Sequence, residues 1–137
     1  MNFFVDTSAW SLALRRATLL DDPLVERLRR ALESGEAVFT TGLVLQEILQ
    51  SIRVPAQRAA LVERFAALPL LMPDRADHIA AAEVRDTCRR GGVQTGTVDA
   101  LLAQLCLHHD LVMLTADRDF EHMAPHIGLD VWRSSRP

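Results

Sequence analysis

Lysine is missing from this chain, and all fifteen basic residues are arginine. The absence excludes proteins that need a P-loop lysine, a Schiff-base lysine or the lysine of a receiver domain. Arginine suits bidentate phosphate contacts, but it is also what a GC-rich coding sequence supplies, and we favour the second explanation. The arginine content alone therefore does not identify a surface that binds nucleic acid.

Long apolar runs are also missing, and no stretch approaches the roughly 20 residues of a membrane span. Asp6 interrupts the first apolar run and no charged leader precedes it, so we predict no signal peptide. Cys88 and Cys106 lie in apolar helical patterns typical of buried free thiols in a reducing compartment. We therefore expect a cytoplasmic protein with no membrane association.

The 137 residues are 49% hydrophobic and 24% charged, which is typical of a globular chain. This length predicts one domain, residues 1–137, with a sizeable core. The net charge of −3 argues against a protein that coats nucleic acid through bulk charge. This net charge does not exclude a nuclease with basic residues around its active site.

Short apolar segments alternate with amphipathic helical patterns along the chain. We predict strands at residues 2–5, 37–40, 68–73, 111–115 and 129–132. Helices are predicted at 8–16, from about 21 to 35, from about 41 to 52, at 55–67, 75–90 and 98–109, and shortly after 116. This alternation predicts an α/β fold, a short parallel sheet with helices on both faces in a three-layer α/β/α sandwich.

Asp6 ends the first apolar strand and stands directly before a predicted helix. The carboxyl end of a strand is where open parallel α/β sheets place their ligand chemistry. The alternative is that Asp6 only caps the helix after it. The sequence of this stretch does not decide between the two interpretations.

Further acids are predicted at the same edge of the sheet. Glu47 lies in the second turn of the helix after strand two, and Asp117 and Asp119 follow strand 111–115. Asp99 lies in the first turn of a helix and stands above the apolar stripe that includes Leu102. An acid whose only role is a favourable interaction with the helix dipole should instead face solvent. We therefore predict one acidic cluster.

Clustered carboxylates repel one another, so a positive group must compensate them. Hard cations such as Mg²⁺ prefer oxygen ligands of this kind. Metal bound by carboxylates can activate water and stabilise a leaving oxygen, which favours phosphodiester hydrolysis. Two alternatives stay open: a catalytically silent binding module, and a metal-dependent phosphatase with Asp6 as nucleophile. Such phosphatases generally need a second Asp two residues on, where this chain has Ser8.

Three segments, FFVDTSAW, TTGLVLQEIL and TGTVDALLAQLCLHHDLVMLTADRDF, together resemble the PIN-domain nucleases. Their order and spacing in so short a chain are most similar to the VapC-type toxins of bacterial toxin–antitoxin pairs. The resemblance covers nearly the whole chain and implies the PIN-like fold, a parallel sheet between helices. It also implies cleavage of RNA, a homodimer, and a VapB-type antitoxin that holds the toxin inactive.

The resemblance further implies a catalytic and metal-binding site for Mg²⁺ or Mn²⁺. The family's four core acids correspond to Asp6, Glu47, Asp99 and Asp117. Asp119 matches a further acid that either ligates metal or only shapes the loop, and we rank it below the four. Thr7 and Thr115 match small hydroxyl positions beside the acids.

Overall fold

The structure, a computed structural model, describes residues 1–15 and 22–134. The described residues form four strands: β1 (Asn2–Val5), β2 (Ala37–Thr41), β3 (Leu70–Leu71) and β4 (Val112–Leu114). They also form seven helices: α1 (Thr7–Leu14), α2 (Pro23–Glu33), α3 (Gly42–Gln50), α4 (Pro55–Phe65), α5 (Arg75–Arg90), α6 (Thr97–His109) and α7 (Arg118–Ile127). The predicted end of the first helix at Arg16 and start of the second at Asp21 lie outside the described residues.

The four strands form one parallel sheet in the order β3-β2-β1-β4. Successive side chains of a strand point to opposite faces of the sheet. Phe3, Phe4 and Val5 of the central strand β1 are all 0% exposed, so both faces are covered. This is the α/β arrangement with helices on both faces that the alternating pattern predicts.

The helices fall into two groups by their mutual contacts. Helix α1 contacts α2 and α3, and α3 contacts α4, whereas α5 contacts α6 and α7. Trp10 of α1 stacks at a tilt on Phe65 of α4, with ring centroids 4.8 Å apart, and is buried in the core. Trp132 packs against the same core, so both tryptophans contribute to packing.

Polar side chains set where several helices begin. Asp6 caps α1, Thr41 caps α3, and Asp74 forms a capping box with Asp77 at the start of α5. In each case a side-chain oxygen accepts a hydrogen bond from a main-chain N–H of the first turn, which has no partner within the helix. Asp117 caps α7 in the same way.

Three local predictions differ from the structure. The sequence predicts Thr97 as the cap of the helix at 98–109, but Thr97 is the first residue of α6, and Gly96 holds the cap position without a side-chain hydrogen bond. Residues 129–132 contribute a single bridge, between Val131 and Met113, in place of a strand. The sequence predicts that Pro125 breaks the helical geometry between His122 and His126, but α7 runs through Pro125, which falls in the last turn before Gly128 ends the helix at φ +71°.

The described helices are all too short or too polar to cross a membrane. Cys88 and Cys106 are buried free thiols, as predicted. Burial raises the pKa of the Cys106 thiol, and the nearby charge of Asp6 raises it further. Both effects make this thiol a poor nucleophile.

Candidate metal centre

The register of the sheet brings the ends of β1 and β4 to the same level. Val5 pairs with Leu114, and the N–H of Asp6 donates to the Leu114 carbonyl oxygen over 3.3 Å. Asp6 and Thr115 therefore follow their strands side by side at the carboxyl edge. This is the edge at which the sequence predicts the acids.

Asp6 is buried, with 4% of its surface exposed, and both of its oxygens are held by the protein. Its Oδ1 accepts hydrogen bonds from the N–H of Ala9 at 3.0 Å and the hydroxyl of Ser8 at 2.8 Å. Its Oδ2 accepts from the hydroxyl of Thr115 at 2.6 Å. Burial raises the pKa of Asp6 and the charge of Asp117 adds to the effect, although the three hydrogen bonds oppose it. Asp6 is thus both the helix cap and a member of the acidic edge.

The same two hydroxyls also hold the loop after β4. Ser8 Oγ accepts a hydrogen bond from the N–H of Ala116 at 2.9 Å, and Thr115 Oγ1 accepts from the N–H of Asp117 at 3.0 Å. Each hydroxyl therefore donates to Asp6 and accepts from this loop. Sequence reasoning missed this role of Ser8; the signal was a hydroxyl residue two positions after the strand-end acid.

The closest group of acids consists of Asp99, Asp117 and Asp119. One carboxylate oxygen from each lies within 4.8 Å of the others. An octahedral ion bound at about 2.1 Å has ligand oxygens roughly 3 to 4 Å apart, so small side-chain adjustments would bring the three oxygens onto one small divalent cation. Asp119, which the sequence ranks below the four core acids, belongs to this group.

Asp99 experiences the charge of every other acid at this edge. Partial burial raises its pKa to about 6, and Asp117, Asp119, Asp6 and Glu47 add to the shift in that order. Below it, Leu102, Ala103 and Cys106 are buried. Asp99 therefore stands above the core-facing side of α6, as predicted, and favours a nearby positive charge.

Glu47 lies at the margin of this edge. It is exposed, and its Oε1 accepts a hydrogen bond from the Thr7 hydroxyl over 2.9 Å. It lies outside the close group of three, but its charge still raises the pKa of Asp99. The structure thus places all five predicted acids along one edge, with Asp99, Asp117 and Asp119 closest together.

Within the described part of the chain, no basic side chain forms an ion pair with any of these five acids. Among the described residues, ion pairs therefore do not compensate their mutual repulsion. Oxygen donors in this number are the ligands that Mg²⁺ and Mn²⁺ prefer. The donor set fits a divalent cation.

Comparison with known families supports the same interpretation, because the PIN domain family profile matches residues 3–125. The chain belongs to the PIN-domain family. The match includes all five acids and most of each strand and helix that carries them. The resemblance inferred from the three sequence segments is thereby confirmed at the level of the family.

Several solved structures share this PIN-domain fold. VapBC2 from Rickettsia felis, bound to a DNA fragment from its promoter, matches with TM-score 0.75 and 15% identity over 97% of this chain and 100% of that one. DNA-bound VapBC from Salmonella typhimurium matches with TM-score 0.74 and 22% identity over 96% and 97%. Mycobacterium tuberculosis VapC20, a toxin that cleaves the sarcin–ricin loop, matches with TM-score 0.61 and 23% identity over 88% and 93%.

Proposed function

We propose that this PIN-domain protein is the ribonuclease toxin of a VapBC-type toxin–antitoxin pair, and that it hydrolyses RNA phosphodiester bonds with Mg²⁺ or Mn²⁺. The observation that carries the proposal is the acidic edge, where a close group of three carboxylates joins Asp6 and Glu47 with no basic partner among the described residues. The likeness to VapBC and VapC structures supports the toxin assignment.

Each acid has a role that its surroundings support. Asp99, Asp117 and Asp119 would hold the cation, and Asp6 and Glu47 would complete the site from the first and third helices. A divalent cation bound there would lower the pKa of an attacking water and stabilise the leaving oxygen. Ser8 and Thr115 act as positioning residues, because their hydroxyls fix Asp6 and the loop of Asp117 in one arrangement.

We propose a VapB-type antitoxin and a second copy of this chain as partners. Exposed apolar side chains support this: Met72 is 85% exposed and Ile79 61% exposed, although both are large hydrophobic residues. Apolar side chains exposed to this extent are available to a partner chain. Two buried thiols and an RNA substrate fit a cytoplasmic location.

The enzymatic proposal is tested by an RNA cleavage assay on protein freed of any antitoxin. We expect cleavage with Mg²⁺ or Mn²⁺ and none with EDTA. Full activity in EDTA would contradict a metal mechanism. Metal binding without RNA cleavage would favour the silent binding module, and hydrolysis of p-nitrophenyl phosphate without RNA cleavage would favour the phosphatase.

The partner proposal is tested by co-expression with the small protein encoded beside this gene. We expect a stable complex by size-exclusion chromatography, and RNA cleavage that falls when the partner is added. Sedimentation of the isolated chain should show a dimer at micromolar concentration. A monomer with no stable complex would contradict both partner assignments.

A further inference from the structure

Residues 91–96 connect α5 to α6, the helix that carries Asp99 in its first turn. A main-chain contact holds the beginning of this connection, because the N–H of Val93 donates to the Cys88 carbonyl oxygen over 2.8 Å. That contact ties the connection to the end of α5. The residues directly before α6 need a different support.

The first turn of α6 has little support of its own. Gly96 occupies the cap position and has no side chain that could bond the free N–H groups of this turn. Thr97 and Val98 are exposed, and the buried residues of α6 begin only at Ala100. The position of the first turn therefore depends on how the chain is held directly before it.

A side chain of α5 holds the chain at that point. Arg85 Nε donates a hydrogen bond to the main-chain carbonyl oxygen of Thr95 over 2.8 Å. Thr95 is 7% exposed, and a hydrogen bond from a charged donor is stronger than one between neutral groups. Within the described parts of the chain no carboxylate pairs with Arg85, so no ion pair competes for its guanidinium group.

We propose that Arg85 is a positioning residue of the metal centre, which holds Thr95 and thereby sets the position of the Asp99 carboxylate. The inference rests on the proposed function, because it assigns a role in the same metal centre. Arg85 acts through the main chain between Thr95 and Asp99 and does not itself ligate the cation. Asp117 and Asp119 come from the start of α7, so a shift of the first turn of α6 would move Asp99 away from them.

The test compares Arg85→Met with a matched control, Arg58→Met. Both changes remove a positive charge and a hydrogen bond to a main-chain carbonyl oxygen, since Arg58 Nη2 donates to that of Ile52 over 2.7 Å. Residues 51–54, which this bond holds, carry none of the five acids. Isothermal titration calorimetry measures Mn²⁺ affinity without RNA. We expect Arg85→Met to bind Mn²⁺ about 3- to 10-fold more weakly, a smaller loss than for a direct partner of a ligand, and the control to bind like wild type.

The sign of the effect separates positioning from charge. Loss of a positive charge would by itself strengthen the binding of a cation. Unchanged or tighter Mn²⁺ binding by Arg85→Met would therefore overturn the proposal, and so would an equal loss in the control. Arg85→Lys keeps the charge and a donor group, so it should recover part of the affinity.

Amide hydrogen exchange without metal measures the positioning itself. The N–H of Ala100 donates to the Gly96 carbonyl oxygen over 3.0 Å and so closes the first turn of α6. We expect this amide to exchange faster in Arg85→Met, whereas amides at the other end of the helix exchange as in wild type. Wild-type exchange at Ala100 would overturn the proposal, because the first turn would then be held without Arg85.

The assignment of Arg85 and the proposed function fail in different ways. If wild type binds Mn²⁺ and cleaves RNA and Arg85→Met does so equally well, the assignment of Arg85 is wrong and the proposed function stands. If wild type binds no Mn²⁺, the metal centre fails and the role of Arg85 in it fails as well. A lower melting temperature of Arg85→Met with wild-type Mn²⁺ affinity would assign the contact to stability alone and overturn the positioning role.

Discussion

The hydroxyl of Thr115 donates a hydrogen bond to Asp6 Oδ2 over 2.6 Å, joining residues 109 positions apart in sequence. This contact connects the ends of β1 and β4 and fixes the rotamer of a buried carboxylate. It also connects Asp6 to the loop that carries Asp117, since Thr115 Oγ1 accepts the N–H of Asp117. The geometry of the acidic edge therefore depends on this hydroxyl, together with that of Ser8.

Thr115→Val removes this hydroxyl at almost constant volume. We expect cleavage or apparent metal affinity to fall about 10- to 100-fold, as is typical when a group that orients a metal ligand is lost. Thr115→Ser keeps the hydroxyl and should restore most of the activity. Mn²⁺ titrations of the cleavage rate measure both variants, and wild-type metal dependence in Thr115→Val would contradict the positioning role.

Asp99→Asn tests the crowding of the acids. Because burial and neighbouring acids raise the pKa of Asp99 to about 6, its charged form destabilises the folded state above the unfolded pKa, and the penalty is complete at pH 7. Solvent screening reduces this penalty to on the order of 1 to 2 kcal/mol, and loss of the favourable contact with the α6 dipole offsets part of it. In EDTA at pH 7 the variant should melt at the same temperature as wild type or a few degrees higher.

With added Mg²⁺, wild type should melt at a higher temperature than Asp99→Asn, which reverses the order expected in EDTA. Wild type gains stability by binding the cation, and Asp99→Asn should gain less because a charged ligand is missing. Differential scanning fluorimetry with and without Mg²⁺ measures both effects. If Asp99 served only the helix dipole, the variant would lose a little stability in EDTA and respond to Mg²⁺ like wild type.

The sequence predicts the acidic edge because strand ends and helix starts are visible as local patterns. A continuous apolar run marks the buried strand before Asp6, and the helical spacing of the apolar stripe below Asp99 marks its helix. The sequence ranks Asp119 below the four because its position depends on a turn, in which its N–H donates to Asp117 Oδ1, and a turn leaves no periodic pattern in the sequence. The sequence also could not show that residues 129–132 form a single bridge and not a strand. The bridge between Val131 and Met113 depends on a main-chain partner that lies elsewhere in the sequence.

His108 stabilises a buried acid on the face away from the metal centre. Its Nδ1 lies 2.7 Å from Oδ1 of Asp77, which is 2% exposed. Burial alone would raise the pKa of Asp77, but hydrogen bonds from the Asp74 N–H and His108 lower it below its usual value. This stability is present above the unfolded pKa and is lost as pH falls through the folded pKa.

We therefore expect His108→Ala to lower the free energy of unfolding by about 1 kcal/mol at pH 7, and by less at pH 3. His109→Ala is the matched control, because it also removes the stacked imidazole pair but leaves the contact to Asp77. Urea unfolding at the two pH values measures the difference. Equal effects of the two variants would contradict a specific role for the His108–Asp77 contact.

Gly91 allows α5 to end against α7. A methyl group added at Gly91 would overlap the imidazole of His126. We expect Gly91→Ala to destabilise the fold by no more than about 1 kcal/mol, because the clashing atoms belong to the exposed side chain of His126, which can rotate aside. In a His126→Ala background the ring is gone and the penalty should shrink, which a double-mutant cycle measures. Additive effects would contradict the contact.

The central claim, that these acids form one metal centre, is tested most directly by anomalous diffraction from crystals grown with Mn²⁺. We predict an anomalous peak between the carboxylates of Asp99, Asp117 and Asp119, with Asp6 beside it, and no such peak in crystals of Asp99→Asn. The absence of a peak at saturating Mn²⁺, or a peak bound by other residues, would contradict the claim.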